Sequence, residues 1–324
     1  DLFAGALVRE IRRLRPETRV AGFGGERLAE AGEDLVGDYR GLTVTGIVEA
    51  IRVLPRAWQM QRALIERARL ERPDALVVID FPDFNFRLAA AVRRLGIPVV
   101  YYICPQLWAW RPGRIAALRR IATKALVVFP FEPAFYAERN LDVEFVGHPL
   151  LDLARARVDR RGLCAETGLD FDKPIVAFLP GSRPNELRAI LPTLAAAAGR
   201  IVERLPGVQF LVARAPHLTG ALFESLAGIV PPRAVLEGRT DDVLAAADVV
   251  VTASGTATVQ TAIHEKPMVI VYRVSPISYR IGKPLVRVTT YGMVNLVAGE
   301  QIVPELIQKD LTPDAVAGET LRYL

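Results

Sequence analysis

The stretch Val249-Val250-Val251-Thr252-Ala253-Ser254-Gly255-Thr256-Ala257-Thr258-Val259-Gln260 decides the fold. Its first five residues make a largely apolar run of strand length, and the small residues after them open a helix that His264-Glu265-Lys266-Pro267 closes. Met268-Val269-Ile270-Val271-Tyr272-Arg273 reads as the next buried strand, which completes a βαβ unit. Ser254-Gly255-Thr256 carries little side-chain bulk, so its N–H groups and two hydroxyls can approach an anion, such as a phosphate or pyrophosphate, at a helix N-terminus. A tight turn whose hydroxyls merely cap the helix would use the same residues, and this stretch alone does not choose between the two.

Upstream, the same alternation builds the rest of the second half. Ile175-Val176-Ala177-Phe178-Leu179 is a strand, followed by Pro180-Gly181-Ser182-Arg183-Pro184-Asn185-Glu186 and an Ala-rich helix. Arg183 stands in a glycine turn just before that helix, where guanidinium and helix dipole both favour phosphate; a capping turn with a surface arginine is the plainer reading. Strands at 208–213 and 234–236 and a helix from Thr240 to Ala247 lead into the opening stretch, and a basic amphipathic helix is expected from Pro276 to Val286.

The first half alternates in the same way. Ala75-Leu76-Val77-Val78-Ile79 is a buried strand that runs into Asp80-Phe81-Pro82-Asp83-Phe84-Asn85. Ligands of open α/β sheets bind beyond the carboxyl ends of the strands, so Asp80 stands where chemistry is done. It can serve as a general base toward a hydroxyl if burial raises its pKa, or Asp80 or Asp83 can cap the following helix, a role that suits Asp83 better. A further strand at 98–103 runs into Cys104-Pro105-Gln106-Leu107-Trp108-Ala109-Trp110-Arg111, whose tryptophans can line a sugar or lipid site or plug a domain edge. Strands at 125–129 and 144–146 close the half, and Gly147-His148-Pro149 reads as a linker in which His148 is a candidate substrate ligand or a structural histidine.

Between residues 43 and 71, Ile47, Val48, Ile51, Leu54 and Trp58 share one helical face while Arg52, Arg56 and Arg62 lie off it, with Pro55 expected to start a second helix. Such a face suits a membrane interface, and it equally suits core packing.

The chain has 324 residues, a net charge of +5 and a pI near 9.4, with its arginines spread over many helices. That pattern favours an anionic substrate or acidic membrane surface and argues against a nucleic-acid groove. Cys104 and Cys164 are too far apart in sequence and context to suggest a disulfide framework or a zinc site, and no stretch of about 18 apolar residues suits a bilayer span. Residue 1 already lies in an amphipathic helix, so a first strand and its turn are expected to precede it, and the last residues stop within a helix. Two βα-repeating halves, 1–149 and 150–324, imply two Rossmann-like domains facing across a cleft, one for a pyrophosphate donor and one for an acceptor with a base.

Several motifs occur together in order: Ile79-Asp80-Phe81-Pro82-Asp83-Phe84-Asn85, Pro105-Gln106-Leu107-Trp108-Ala109-Trp110-Arg111, Leu179-Pro180-Gly181-Ser182-Arg183 with Glu186, Ala253-Ser254-Gly255-Thr256-Ala257 and Asn295-Leu296-Val297-Ala298-Gly299. Over essentially its whole length the chain resembles the lipid-A-disaccharide synthase family. The resemblance implies an inverting glycosyltransferase of the GT-B fold that needs neither metal nor other cofactor. It would join UDP-2,3-diacylglucosamine to 2,3-diacylglucosamine 1-phosphate (lipid X), giving the β-1,6-linked disaccharide 1-phosphate and UDP.

By the same resemblance, Asp80 is the base and Arg183 stabilises the leaving UDP. Ser182, Glu186, Ser254, Gly255, Thr256, Ala257, Gln260, Tyr272, Arg273 and Asn295 belong to the donor side. Asp1, Asp83, Asn85, Gln106, Trp108 and His148 belong to the acceptor side, with Asp1 matching the end of a family turn whose earlier residues would precede it. Residues 43–62 match a membrane-docking region, which implies a cytoplasmic protein held peripherally on the inner membrane of a Gram-negative cell; a homodimer is left open. Gln260 departs from the pattern, which has Glu there to bind both ribose hydroxyls, so altered ribose recognition is expected. The rival readings are another GT-B enzyme, a GlcNAc transferase or UDP-GlcNAc 2-epimerase, and a non-catalytic nucleotide-sugar-binding protein.

Overall fold

Strands that are apolar at nearly every position must be covered on both faces, and β7 (Ile175–Leu179) and β10 (Val249–Ala253) bury all of their residues, Thr252 included. They are paired neighbours at the centre of a six-stranded sheet with β8 (Gln209–Arg214), β9 (Arg233–Glu237), β11 (Met268–Tyr272) and β12 (Glu305–Ile307), ordered β12-β11-β10-β7-β8-β9. Every pairing in this sheet is parallel. The computed structural model describes residues 1–32, 34–38, 47–110, 112–226, 233–274, 280 and 290–324.

Side-chain alternation divides the core of this sheet into two layers. Val176, Phe178, Val251 and Ala253 face one cluster, built with the helices Pro184–Arg204 and Pro313–Tyr323. Ile175, Ala177, Leu179 and Val250 face the other, built with the helices Arg160–Thr167, Thr240–Ala246 and Thr256–Ile263. The chain leaves β7 toward β8 and β9 on one side and returns to β10 on the other. The order therefore reverses between β7 and β10, the position at which doubly wound sheets bind ligands.

The chain divides into two compact units, Asp1–Pro149 and Leu150–Leu324. In the first, β3 (Leu76–Ile79), β4 (Val99–Tyr102), β5 (Lys124–Val127) and β6 (Glu144–Phe145) form a parallel sheet in sequence order, while β1 (Ala21–Gly24) and β2 (Asp34–Asp38) pair separately. Val78, Val99, Tyr101, Ala125 and Val127 point into a core closed by the helices Pro82–Arg94 and Ile115–Ile121.

The helix Ile47–Glu71 runs through Pro55 as a single element, so the second helix expected to start there does not exist. Ala57, Met60, Leu64, Ile65 and Ala68 pack it onto the core, and contacts beyond the proline hold it despite the lost hydrogen bond. The side chains of Ile47, Val48 and Ile51 lie outside the described residues, as do Arg111 and all but residue 280 of the basic helix expected at 276–286.

Candidate active site

The loops after β7 and β10 emerge side by side because Leu179 pairs with Thr252 in register. After β10, Gly255 takes φ +138° and caps the helix Thr256–Ile263 without any side-chain hydrogen bond. The Ser254 hydroxyl does not cap this helix: it donates instead to the Tyr291 carbonyl at 2.7 Å. Thr258 N is bonded to the Gly255 carbonyl, and the N–H groups before it, at Thr256 and Ala257, make an end without a side-chain cap that is partly positive.

After β7, Gly181 takes φ +118°, and Glu186 reaches back to brace the turn. Glu186 Oε2 accepts the Ser182 amide at 3.3 Å and Oε1 accepts Arg183 Nη1 at 2.9 Å. The His217 ring nitrogen Nε2 lies 2.7 Å from the Ser182 carbonyl; since a carbonyl can only accept, that nitrogen carries the proton. Arg183 is 62% exposed and engages Glu186 through one nitrogen, so its planar fork has further donors for an anion. Tyr272 belongs to this end as well. Burial pushes its pKa up, the Glu186 charge adds to the rise and Arg183 opposes it.

Two donor-side expectations, Asn295 and Arg273, are corrected, and Gln260 keeps only part of its amide for a ligand. Asn295 is fully buried, and its amide is saturated: Nδ2 donates to the Val303 carbonyl at 3.0 Å and to Glu305 Oε1 at 2.7 Å, and Oδ1 accepts Ile302 N at 2.9 Å and Val303 N at 3.0 Å. It locks a loop and has nothing left for a ligand. Arg273 turns away from the loops toward Thr193 Oγ1 at 2.9 Å and the carbonyls of Gln308 and Leu311, tying the helix Pro184–Arg204 to the segment after β12. Gln260 directs its Nε2 to Asp241 Oδ1 at 2.7 Å, an oxygen that His264 Nε2 also meets at 2.9 Å. Its carbonyl oxygen is what it can offer a ribose.

In the first unit Asp80 is exposed at the end of β3, so the burial invoked to tune it is absent. Neither Asp80 nor Asp83 caps the next helix: Phe81 is the N-cap, without a side-chain bond, and Asp83 in the first turn pairs with Arg114 Nη1 at 2.8 Å. Asp1 lies near Asp80 in space. The Asp1 carboxylate itself accepts the amides of Gly25, Arg27 and Leu28 at 2.9, 3.1 and 3.2 Å. Beside Asp80, the exposed Phe81 stacks on Phe84 at 5.6 Å, and Phe84 stacks on Phe23 at 5.3 Å.

The acceptor-side expectations divide. Gln106 is exposed in the loop after β4. Trp108 is corrected to a plug: it is buried, edge-on to Phe131 at 5.0 Å, with Nε1 donating to Glu132 Oε1 at 3.0 Å. Glu132, buried in turn, accepts Val128 N and Phe129 N at 3.0 and 2.9 Å; burial pushes its pKa up against the pull of those hydrogen bonds. Asn85 is corrected too. It is buried and turns inward, donating to the Ile79 and Asp80 carbonyls at 3.1 and 2.7 Å. His148 is half-buried between Phe3 and Phe129, at 6.1 and 5.4 Å, and burial lowers its pKa.

A sequence profile of lipid-A-disaccharide synthetase matches residues 1–324. The chain belongs to the lipid-A-disaccharide synthetase family. It is 43% identical over 328 residues to the lipid-A-disaccharide synthase of Geobacter sulfurreducens, covering 100% of this chain and 85% of that protein. Among solved structures it is similar to UDP-GlcNAc 2-epimerase from Neisseria meningitidis bound to UDP-GlcNAc (TM-score 0.60, 11% identity, 99% and 97% of the two chains). It is also similar to Acinetobacter baumannii MurG (TM-score 0.55, 15% identity, 98% and 85% covered). The fold is therefore GT-B, two Rossmann-like α/β units, and as a lipid-A-disaccharide synthetase the chain is a hexosyltransferase of lipid A biosynthesis. Among the described residues no helix is long and apolar enough to cross a membrane.

Sequence reasoning missed Tyr101, Glu305, Asp241 and His217. Tyr101 left one signal, an inward strand position at which a tyrosine hydroxyl needs a partner. The other three sit in segments with no motif of their own.

Proposed function

We propose that this lipid-A-disaccharide synthetase transfers 2,3-diacylglucosamine from UDP to the 6-hydroxyl of lipid X with inversion at the anomeric carbon. Asp80 takes the hydroxyl proton as the oxygen attacks, and the glycosyl–phosphate bond breaks to release UDP. The observation that carries the reading is the pairing, at the sheet's reversal point, of the uncapped helix end at Gly255–Ala257 with the exposed Arg183. Both favour the negative charge that grows on the leaving diphosphate. The UDP-GlcNAc bound to the structurally similar epimerase from Neisseria meningitidis supports a UDP-sugar donor.

The two substrates are acylated, and the enzyme meets them at the cytoplasmic face of the inner membrane as a peripheral protein. Leu54 and Trp58, 39% and 49% exposed on a helix whose next turns are packed into the core, support that docking. The deciding assay measures UDP release from UDP-2,3-diacylglucosamine with and without lipid X. Release that requires lipid X, is lost in Asp80→Asn and leaves UDP binding intact in that variant is the expected result. Release that is indifferent to lipid X removes the reading. Arg183→Ala is expected to raise KM for the donor about tenfold or more, the scale of a lost charge-assisted hydrogen bond.

A further inference from the structure

Asp80 and Phe81 are consecutive non-glycine residues, both left-handed at φ 44°. For a bulky residue such as Phe81 this is an outlier that persists only where the surroundings over-determine it. The surroundings here converge on one atom. The Asp80 carbonyl oxygen accepts Asn85 Nδ2 at 2.7 Å and the Tyr101 hydroxyl at 2.9 Å, while the same Asn85 nitrogen reaches the Ile79 carbonyl at 3.1 Å. The Asn85 amide closes the turn from the other side by donating to the Phe81 carbonyl at 3.0 Å.

Both donors are held by regular elements of the core. Tyr101 is fully buried on β4, the strand that pairs with β3, and its ring meets Phe86 edge-on at 5.9 Å. Burial, with the Asp80 charge behind it, pushes the Tyr101 pKa far up, so the hydroxyl keeps its proton and donates at any working pH. Asn85 is held in the helix Pro82–Arg94 and is likewise buried.

We propose that Tyr101 is a positioning residue for glycosyl transfer: with Asn85, its hydroxyl clamps the Asp80 carbonyl and so holds the left-handed turn that presents the Asp80 carboxylate beyond the end of β3. The inference rests on the reading of Asp80 as the base. Without the clamp the turn relaxes toward an ordinary conformation and the carboxylate moves; a displacement near an ångström is enough to cost up to about 100-fold in rate.

The test compares the full enzyme with Tyr101→Phe, Asp80→Asn and the double variant. Tyr101→Phe keeps the buried ring and deletes only the hydroxyl. It is expected to lower kcat about tenfold with both KM values unchanged. The double variant is expected to be no slower than Asp80→Asn, because Tyr101 acts through Asp80. Amide hydrogen exchange at Asp80 and Asn85 is expected to quicken in Tyr101→Phe.

A Tyr101→Phe enzyme with wild-type kcat beside an inactive Asp80→Asn overturns the clamp. So does a double variant that loses the further tenfold. If Asp80→Asn itself keeps full kcat, the base assignment falls on its own. The clamp is then decided by exchange alone, faster exchange upholding it and unchanged exchange overturning it.

Discussion

The Ser254 hydroxyl donates to the Tyr291 carbonyl oxygen at 2.7 Å, and the segment it holds is pinned from behind by the half-buried Glu305 and the buried Asn295. Glu305 Oε2 accepts Tyr291 N at 2.8 Å, and Oε1 accepts Gly292 N at 2.8 Å together with the Asn295 amide. At Gly292 a Cβ would meet Ile270 Cδ1 at 2.2 Å, so a side chain there would force the buried Ile270 to shift. Asn295 thus reaches the Ser254 loop, the proposed donor loop, through Glu305 and Tyr291.

Asn295→Ala should therefore do two things at once. It strands the Ile302 and Val303 amides and the Val303 carbonyl, at about 1–3 kcal/mol for each group left unsatisfied. It also frees Ser254, so UDP affinity falls. Urea unfolding and calorimetric titration with UDP read the two effects separately. A variant that loses stability but binds UDP as tightly as the parent would show that the chain of bonds stops short of the loop.

Two glycines at the donor end allow a controlled comparison. Gly181 and Gly255 both need a left-handed backbone, so Ala at either should cost about 1–3 kcal/mol in strain. At Gly255 a Cβ meets nothing within 4 Å, whereas at Gly181 it would sit 2.8 Å from Glu186 Oε2 and 3.3 Å from Glu186 Cβ. Gly181→Ala must displace the carboxylate that braces Ser182 and Arg183. It should weaken donor binding, measured as KM for the UDP-sugar, well beyond Gly255→Ala at similar loss of stability. Equal KM values in the two variants would remove Glu186 as the brace.

The apolar run at 249–253 announced a central parallel strand because only burial on both faces tolerates such a run, and the glycine turns after it and after β7 were visible as residues that must bend the chain. The polar residues around them were harder to place. Asn295 and Arg273 stand beside the donor motifs in sequence, yet folding engages their hydrogen-bonding groups internally. A residue that builds a loop and a residue that touches a ligand leave the same mark in a motif. Trp108 and Asn85 were misplaced for the same reason. Their partners, Glu132 and the Asp80 carbonyl, are set by the turns and only the fold brings them into reach.

His148 gives the first unit a pH dependence whose sign is fixed by burial. Its folded pKa lies below the ordinary 6.5, so as pH falls below about that value the unfolded chain takes up the proton first. Stability from this group is complete above 6.5 and declines as pH falls toward the depressed folded value. Urea midpoints for Asp1–Pro149 unfolding, followed within the whole chain between pH 7.5 and 5, should fall with acid, and His148→Gln should flatten that part of the slope. An identical slope in the variant would assign it to other groups.

The helix Ile47–Glu71 changes environment along its length. Ala57, Met60, Leu64, Ile65 and Ala68 lie against the core, while Leu54, a turn before them, and Trp58, between Ala57 and Met60, are exposed. Exposed apolar groups of this size gain about 1.5–3 kcal/mol each on leaving water. With the chain's net charge of +5, an anionic bilayer offers both an apolar layer and attraction. Leu54→Ser with Trp58→Ser should therefore lower binding to phosphatidylglycerol-containing vesicles at least about tenfold, and leave the thermal midpoint in solution nearly unchanged because neither side chain is part of the core. Binding to anionic vesicles that survives both substitutions, or a large fall in the midpoint, would mean that these two side chains pack against protein and that the membrane contact lies elsewhere.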